Sequence, residues 1–592
     1  MTESRNQRLR RARPVLAFAV VAFMAGAALG ADHNGASSAY SLADGFVGAW
    51  THESYATMYA DLDASSQRAI SVSAFANAYQ QALTTATATH MRITGKPRGL
   101  PNAEVAVPVR VQTRLFGVLS LQYTVKVVED GGAPARIEWS RSLVFPGLRP
   151  GETLSSHTAL PRRATLLARD GSVLAESPPG AAPVSLSGED TRNSPLGSVA
   201  SSVLGGIGPL PTSRRQALEA QGVPSNGSVG VSGLELALDS RLRGTPGGEL
   251  LAGDRLLAYT APQAAPAVRT SVSRAIQSAA VTALGGQLGG IVAMDPASGQ
   301  ILAVAGIGLD GLQPPGSTFK MVTVTGVLEA GIANRHTVFP YATYATLDGV
   351  KLSNANGEEC GGTLELAFAV SCNSVFTPLG VKLGSARLVA AAERYGFNMQ
   401  PSIEGAAEST LPAASEIQGE LDIGSTAIGQ GQVLATPLQM ATVAATIADE
   451  GLRPTPSFLT GAPSSKGVRV VSAAVARTVR RLMIGVVRFG TGTSAAIPGV
   501  TVAGKTGTAE LKSGCTSTPN STETSSTETS AASKEGCDES EASNTDAWFA
   551  AFAPAVHPKI VVCVLLVKDG AGGATAAPVA RQVIEAALHS TH

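Results

Sequence analysis

The chain has 592 residues with 45 basic and 45 acidic side chains, so its formal net charge is zero. Hydrophobic residues make up 44% and charged residues 15%, which is typical of a folded protein and excludes a disordered chain or a basic nucleic-acid binder. The eight histidines show no zinc-ligand spacing, so neither a metal nor another cofactor is expected. The length suggests three or four domains.

The N-terminal segment carries the targeting information. Five arginines between positions 5 and 13 precede an uncharged apolar run over residues 14–30. The arginines favour the cytoplasmic side, which places the rest of the chain outside the membrane. Residues 1–35 are therefore predicted to be a cytoplasmic tail and signal anchor. A cleaved signal peptide ending near Ala31 is the alternative that the sequence leaves open.

Two segments follow with different patterns. Residues 36–147 begin with apolar residues at helical spacing and continue with alternating apolar residues, such as Val105, Val107, Val109 and Val111. This pattern predicts a small α+β domain. Residues 148–284 are rich in Gly, Pro and Ser and are predicted to form a loop-rich, partly extended domain.

The last segment, residues 285–592, has the pattern of an α/β sandwich. A hairpin signal over residues 291–305 is followed by apolar helical segments, strand candidates at 500–508, 547–552 and 560–567, and a final helix at 577–588. Residues 511–545 interrupt the last strands, and 12 of the 20 residues from 516 to 535 are Ser or Thr. We expect this insertion to be solvated, low-complexity sequence.

Ser317 and Lys320 form an S-x-x-K motif at the start of an apolar helical stretch. A three-residue spacing places both side chains on one face of a helix. A serine hydroxyl needs an adjacent base to act as a nucleophile, and a lysine is such a base when burial or a nearby cation lowers its pKa. The alternative is a capped helix with a surface lysine.

Two shorter motifs complete the candidate site. Ser371 and Asn373 form an S-x-N motif after an apolar run, and their side chains can pass a proton and bind an amide. A K-T-G-T motif follows a second apolar run, and its lysine and hydroxyl groups can bind a carboxylate. Its glycine is expected to let a substrate backbone approach the strand edge. The motif consists of Lys505, Thr506, Gly507 and Thr508.

The order of these motifs is the signature of penicillin-binding proteins and active-site-serine β-lactamases. Residues 285–592 resemble a penicillin-binding transpeptidase domain, with supporting segments at 428–432, 436–440 and 547–554. Upstream segments within residues 161–171 and 233–247 resemble the pedestal, or dimerisation, domain of the class B (monofunctional) group. Ala164 and Ala168 stand where that group usually has Gly and Asp. Residues 40–146 are similar to the cone-shaped N-terminal domain of low-affinity penicillin-binding proteins. The expected fold is multidomain α+β with a C-terminal α/β sandwich of the transpeptidase/β-lactamase type.

The resemblance implies a D,D-transpeptidase that cross-links peptidoglycan stem peptides ending in D-Ala-D-Ala and is acylated by β-lactams. Ser317 would be the nucleophile, Lys320 the base and Ser371 the proton relay. Asn373 would hold the peptide, the K-T-G-T motif its carboxylate, and the backbone N–H groups of Ser317 and Thr508 the oxyanion. The chain lacks the E-D-x-x-F stretch of bifunctional class A proteins, so a glycosyltransferase of the cell-wall machinery is an expected partner. The cytoplasmic membrane is the other expected partner.

Two other functions remain open at this point. One is hydrolytic, a D,D-carboxypeptidase or a serine β-lactamase, although no glutamate-bearing loop of the class A lactamase type is evident. The other is a non-catalytic scaffold that retains the fold. Neither the choice among elongation, division and resistance nor the acceptor amine follows from the sequence.

Five cysteines provide a separate prediction, because an extracytoplasmic location permits disulfides. Cys515 and Cys537 bracket the Ser/Thr-rich insertion and are predicted to pair. Cys360 and Cys372 are also predicted to pair, which would rigidify the S-x-N loop. Cys563 lies in an apolar run and is predicted to be a buried free thiol.

Overall fold

The computed structural model describes residues 34–129, 134–178, 192–460, 467–510 and 545–590. The predicted anchor over residues 14–30 and the cysteines Cys515 and Cys537 lie outside these residues. The chain divides into two compact units, residues 1–156 with 250–258 and residues 157–249 with 259–592. The predicted boundaries of the four segments stay predictions.

The first unit is an α+β domain, as the sequence predicts. Its helices pack on one face of an antiparallel sheet of order β1-β3-β4-β5, and β2 also pairs with β3. The helices are α1 (Asn34–Thr51), α2 (Tyr55–Ala60), α3 (Ala64–Ala69) and α4 (Val72–Thr85). The strands are β1 (Ala88–Ile93), β2 (Arg98–Leu100), β3 (Glu104–Thr113), β4 (Val118–Val128), β5 (Arg136–Glu138) and β6 (Leu154–Ala159).

Alternation along β3 determines which face of this sheet is buried. Val105, Val107, Val109 and Val111 are at most 3% exposed and face the helices. The intervening positions point to the opposite face, because successive strand residues alternate. Tyr123 on β4 packs edge-on against Trp50 of α1. The core of this unit is therefore closed by large aromatic side chains.

The second unit begins with a pedestal of short elements. The strands are β7 (Leu166–Leu167), β8 (Val173–Ala175), β9 (Ile207–Pro209), β10 (Ser228–Gly230) and β13 (Val268–Arg269). Two further strands, β11 (Gly247–Ala252) and β12 (Arg255–Thr260), form a sheet of order β12-β11-β6 and, with the residues between them, contain residues 250–258 of the first unit. The helices are α5 (Ser198–Leu204), α6 (Thr212–Glu219), α7 (Gly233–Ala237) and α8 (Asp239–Leu242). The sequence predicted loops here because helices of four to eight residues are too short to show a periodic pattern.

Buried ion pairs hold the pedestal together. Glu235 and Asp239 are at most 1% exposed and lie on α7 and α8. Arg163 contacts both, with Nε 2.6 Å from Glu235 Oε2 and Nη1 2.8 Å from Asp239 Oδ1. Arg192 adds a second contact to Glu235, and Arg243 another to Asp239, each at 2.8 Å. Removing one partner would leave a buried charge without compensation, so this cluster is sensitive to substitution.

The rest of the second unit is an α/β sandwich, which confirms the predicted fold class. Its central sheet is antiparallel with the order β15-β14-β24-β23-β22. The strands are β14 (Gly289–Met294), β15 (Ile301–Gly306), β16 (Val338–Ala342), β17 (Tyr344–Leu347), β18 (Val350–Ser353), β19 (Cys360–Thr363), β20 (Leu452–Arg453), β21 (Val468–Arg469), β22 (Ala503–Glu510), β23 (Thr545–Ala553) and β24 (Ile560–Leu566). The helices are α9 (Arg274–Leu284), α10 (Lys320–Glu329), α11 (Leu364–Ala369), α12 (Asn373–Leu383), α13 (Ser385–Tyr395), α14 (Gly419–Ala427), α15 (Pro437–Ala448), α16 (Ala473–Phe489) and α17 (Ala576–His589).

Helices cover both faces of this sheet. One face packs against α9 and α17, and the other packs against α15 and the helices around α10. The strands β14, β23 and β24 are consequently buried on both sides and read as continuous apolar runs. β22, which carries the K-T-G-T motif, lies at the edge of the pairing order. Among the described residues, the motif strand therefore has a strand partner, β23, on one side only.

In the part of the chain that the structure describes, no single helix has the length and apolarity needed to cross a membrane. Helices α12 and α13, which are bent by 100° relative to each other, together have the length and composition of a span, and nothing further supports one.

Candidate active site

Ser317 lies on a tight turn that leads into α10. Residues Gly316–Phe319 form one turn of 3-10 helix, and α10 begins at Lys320. Side chains three residues apart eclipse each other in a 3-10 turn, so Ser317 and Lys320 share one side of the helix as predicted. Gly316 has a φ of 50°, and its N–H donates to Gly429 O at 2.9 Å. The turn is therefore fixed from outside the motif.

Lys320 is fully buried, and its amine faces the S-x-N loop. Nζ donates to Ser371 O at 2.8 Å and to Asn373 Oδ1 at 2.6 Å, and it lies 3.3 Å from Ser371 Oγ. It also lies 5.4 Å from the centre of the Phe376 ring. A neutral amine that makes both of the short bonds uses its two N–H groups and keeps its lone pair to accept a proton.

Ser371 has a left-handed backbone, with a φ of 64°. It follows the end of α11, where its N–H donates to Phe368 O at 3.2 Å and the N–H of Cys372 donates to Ala367 O at 2.9 Å. This hydrogen-bond pattern is a Schellman motif, whose left-handed position is usually occupied by glycine. A serine there carries backbone strain, which is common at functional sites.

The S-x-N loop is held on two further sides. Asn373 begins α12, and its Nδ2 donates to Ser353 O on β18 at 2.9 Å. Cys372 forms a disulfide with Cys360 of β19, with the Cα atoms 5.9 Å apart. The predicted Cys360–Cys372 pair is confirmed, and Cys563 is a buried free thiol as predicted. The disulfide joins the residue between the two motif side chains to a neighbouring strand.

The K-T-G-T strand brings a second buried amine to the same hydroxyl. Lys505 is fully buried on β22, and its Nζ donates to Ser371 Oγ at 2.8 Å and to Thr506 O at 3.0 Å. The hydroxyls of Thr506 and Thr491 are 2.6 Å apart, and Thr508 Oγ1 accepts from Gly572 N at 3.3 Å. The structure thus brings Lys320, the S-x-N loop and the K-T-G-T strand together through hydrogen bonds, whereas the Ser317 side chain forms none with the residues that the structure describes.

The packing around Gly507 gives a second reason for a glycine at this position, besides the expected approach of a substrate. A Cβ at this position would lie 2.7 Å from Pro315 O, 2.9 Å from Trp548 Cβ and 3.0 Å from Thr318 Cγ2. The space that a Cβ would occupy is therefore filled by the protein itself, and the approach of a substrate backbone stays a prediction. The glycine allows β22 to pass directly over the turn that carries Ser317.

Two contributors to the site were missed in the sequence. Thr491 follows α16 and bonds to the K-T-G-T strand, but nothing in its local sequence indicates this contact. Gly572 packs closely against the sheet, because a Cβ added to it would lie 2.3 Å from Gly507 O and 2.2 Å from Trp548 O. The run of small residues around it was the only signal available.

The two buried lysines have strongly perturbed acidity. Burial, followed by the nearby charge of Lys505, holds the pKa of Lys320 well below its ordinary value. Burial lowers the pKa of Lys505 to about 7. Both shifts favour a neutral amine because desolvation penalises the charged form. No group of three potential metal ligands occurs in the described ranges, and the site chemistry rests on amines, hydroxyls and an amide.

This fold and this site define a serine acyl-transferase of the penicillin-recognising class. Residues 289–585 match the family model described as the penicillin binding protein transpeptidase domain, and the chain belongs to that family. Residues 38–152 match the NTF2-like N-terminal transpeptidase domain, and residues 182–256 match the penicillin-binding protein dimerisation domain. These matches confirm that the sequence resembles the class B group.

The chain is similar to named relatives in mycobacteria. It is 32% identical over 432 residues to the peptidoglycan D,D-transpeptidase PbpA of Mycolicibacterium smegmatis, covering 61% of this chain and 81% of that protein. It is 36% identical over 301 residues to PbpA of Mycobacterium tuberculosis, covering 46% of this chain and 55% of that protein. The solved imipenem acyl-enzyme complex of penicillin-binding protein A from M. tuberculosis aligns with a TM-score of 0.54 and 28% identity, over 72% of this chain and 99% of that one.

Proposed function

We propose that this chain is a peptidoglycan D,D-transpeptidase that works through a serine acyl-enzyme and is acylated by β-lactams. The observation that carries the proposal is the position of the Lys320 amine. It is buried one turn from Ser317, and its short bonds to Ser371 O and Asn373 Oδ1 leave a lone pair on the neutral form. The relatives named D,D-transpeptidases support the same reaction.

In the first step Ser317 Oγ attacks the carbonyl carbon between the two D-alanines. Its proton passes to Lys320, whose lowered pKa makes the neutral base available. The C–N bond then breaks, and the leaving D-alanine takes a proton through Ser371 Oγ, which lies between the two lysine amines. The product is an ester between Ser317 and the shortened stem peptide.

In the second step the amine of another stem peptide attacks this ester. A new C–N bond forms, and the ester C–O bond to Ser317 Oγ breaks. The amine loses a proton to the lysine and hydroxyl groups of the site, and Ser317 Oγ regains one. The N–H groups of Ser317 and Thr508 would stabilise the oxyanion in both steps. A β-lactam would enter by the first step, with its ring amide in place of the D-Ala-D-Ala bond.

The remaining motif residues would hold the substrate. Lys505, Thr506 and Thr508 present an amine and two hydroxyls along the edge strand for the terminal carboxylate. Asn373 would bind the peptide amide, although its Nδ2 now donates to Ser353 O. Substrate binding would therefore compete for one of that residue's present hydrogen bonds.

Transpeptidation is tested by product analysis. The full-length protein in detergent is given a stem pentapeptide donor and a D-amino acid acceptor, and products are separated by mass spectrometry. We expect acyl transfer to the acceptor to exceed hydrolysis, and Lys320→Met to lower both by about 10²–10⁴-fold. The matched control Lys382→Met removes an exposed lysine and should behave like the parent. Hydrolysis alone, or multiple turnovers of nitrocefin, would establish the hydrolytic alternative instead.

We further propose that residues 14–30 anchor the chain in the cytoplasmic membrane without cleavage and that a glycosyltransferase supplies its glycan strands. The arginine-rich flank and the uncharged run motivate the anchor. N-terminal sequencing of protein purified from membranes tests it. A mature N-terminus near Ala31 would contradict the uncleaved anchor.

A further inference from the structure

The N-terminal α+β domain carries a regular array of side chains on the face of its sheet opposite the helices. The pairing register aligns positions on β1, β3 and β4 in two rows, and all six side chains are exposed. They line or flank a groove of about 310 Å³. One row consists of Arg92, Arg110 and Ser120, and the other of His90, Gln112 and Val118. We call these six residues the outer-face grid.

The grid lies in the most unevenly charged part of this domain. Residues 86–128 contain six Lys and Arg but a single acidic residue, Glu104, in a chain whose net charge is zero. Glu104 is at the far end of β3, where its cross-strand partner is Lys126. Neither the Arg92 nor the Arg110 side chain forms an ion pair or hydrogen bond with any residue that the structure describes. Both guanidinium groups are therefore available to a ligand.

The position of Arg110 argues against a purely protective role. Charges on an edge strand can serve to prevent sheet-to-sheet aggregation, and this would explain Arg92 on β1. Arg110, however, lies on β3, which pairs with β1 on one side and β4 on the other. It stands directly opposite Arg92, and like charges in that position destabilise a strand pair. An anion bound between them would remove this repulsion.

The chemistry of the grid indicates the class of anion. A guanidinium group binds phosphate oxygens with two parallel hydrogen bonds. The Cα atoms of two arginines that stand opposite each other on paired strands are about 5 Å apart. A single carboxylate would occupy one of them, whereas two adjacent phosphates would occupy both. His90, Gln112 and Ser120 add further donors around the groove. We propose that the outer-face grid binds a soluble phosphate-bearing ligand of the diphosphate class.

Isothermal titration of the full-length protein with inorganic pyrophosphate tests the proposal. The test variant is Arg92→Gln with Arg110→Gln, and the matched control is Arg98→Gln with Arg114→Gln, two exposed arginines of the same segment that lie outside the grid. Both variants lose the same charge. We expect the grid variant to weaken pyrophosphate binding at least ten-fold and the control to weaken it less than two-fold, with unchanged thermal unfolding in both.

Other outcomes would overturn the proposal. Equal weakening in the two variants would mean that the affinity reflects overall charge. Absence of pyrophosphate binding by the parent protein would also overturn it. A flotation assay with vesicles containing one fifth phosphatidylglycerol tests whether the two arginines bind a membrane surface and not a soluble ligand. Vesicle binding that requires Arg92 and Arg110, without pyrophosphate binding, would assign the grid to a membrane surface instead.

Discussion

Replacing Lys505 with methionine should move the pH dependence of acylation to higher pH. Lys320 and Lys505 both contact Ser371 Oγ, at 3.3 and 2.8 Å, so their amines are no more than about 6 Å apart. At an effective dielectric constant of about 20, two unit charges at that distance repel by about 3 kcal/mol. The positive charge of Lys505 is one cause of the lowered pKa of Lys320.

The sign of the effect follows from which form of Lys320 reacts. Only the neutral amine accepts the Ser317 proton, so acylation is lost as the pH falls through the pKa of Lys320. Removing the charge of Lys505 raises that pKa. The acidic limb of the profile should therefore shift upward, and about 3 kcal/mol corresponds to about two pH units.

The assay is the second-order rate of benzylpenicillin acylation measured from pH 4 to 9, which reports the free enzyme. Lys505→Met should also lower the maximum rate, because the carboxylate loses a partner, but the midpoint of the profile is independent of that maximum. Lys382→Met serves as the control and should leave the midpoint in place. A midpoint that stays fixed, or moves to lower pH, in Lys505→Met would refute the electrostatic coupling.

Three further substitutions test other parts of the structure. Ser371→Gly should raise the thermal unfolding temperature relative to Ser371→Ala, since the left-handed backbone costs a residue with a Cβ about 1 kcal/mol, while both variants lose acyl transfer by about 10²-fold or more. Gly507→Ala should destabilise the protein by about 1–3 kcal/mol and slow acylation, because its Cβ would meet Pro315 O at 2.7 Å; parent-like calorimetry would contradict this packing. Glu235→Gln should destabilise the pedestal by about 3–5 kcal/mol, because it removes the buried anion that pairs with Arg192 and one of the two that pair with Arg163, and a change below about 1 kcal/mol in denaturant unfolding would argue against that role.

The sequence predicted which motifs form the candidate site, because the candidate chemistry is concentrated in short motifs. Ser317 and Lys320 are close in the chain, and the local helical geometry is sufficient to bring them together. The pairing of Cys360 with Cys372 was also predictable, because the two are near in sequence and Cys372 is the middle residue of the S-x-N motif. The alternation of valines on β3 likewise predicted which face of the first sheet is buried.

Contacts between distant segments could not be predicted in the same way. The left-handed conformation of Ser371 depends on how α11 ends, and serine has no preference that reveals it. The role of Gly507 depends on the turn at Pro315, almost 200 residues earlier, which only the folded sheet brings into contact. The pairing of Arg92 with Arg110 depends on the strand register. A one-residue slip in the register would turn every side chain of the strand to the other face.

The most direct test of the central claim is mass spectrometry after reaction with benzylpenicillin. The claim is that Ser317 forms the acyl-enzyme with the help of Lys320. Intact mass should show a single adduct, and peptide mapping should place it on the peptide that contains Ser317. Ser317→Ala should carry no adduct. An adduct that persists in Ser317→Ala, or that maps to Ser371, would contradict the claim.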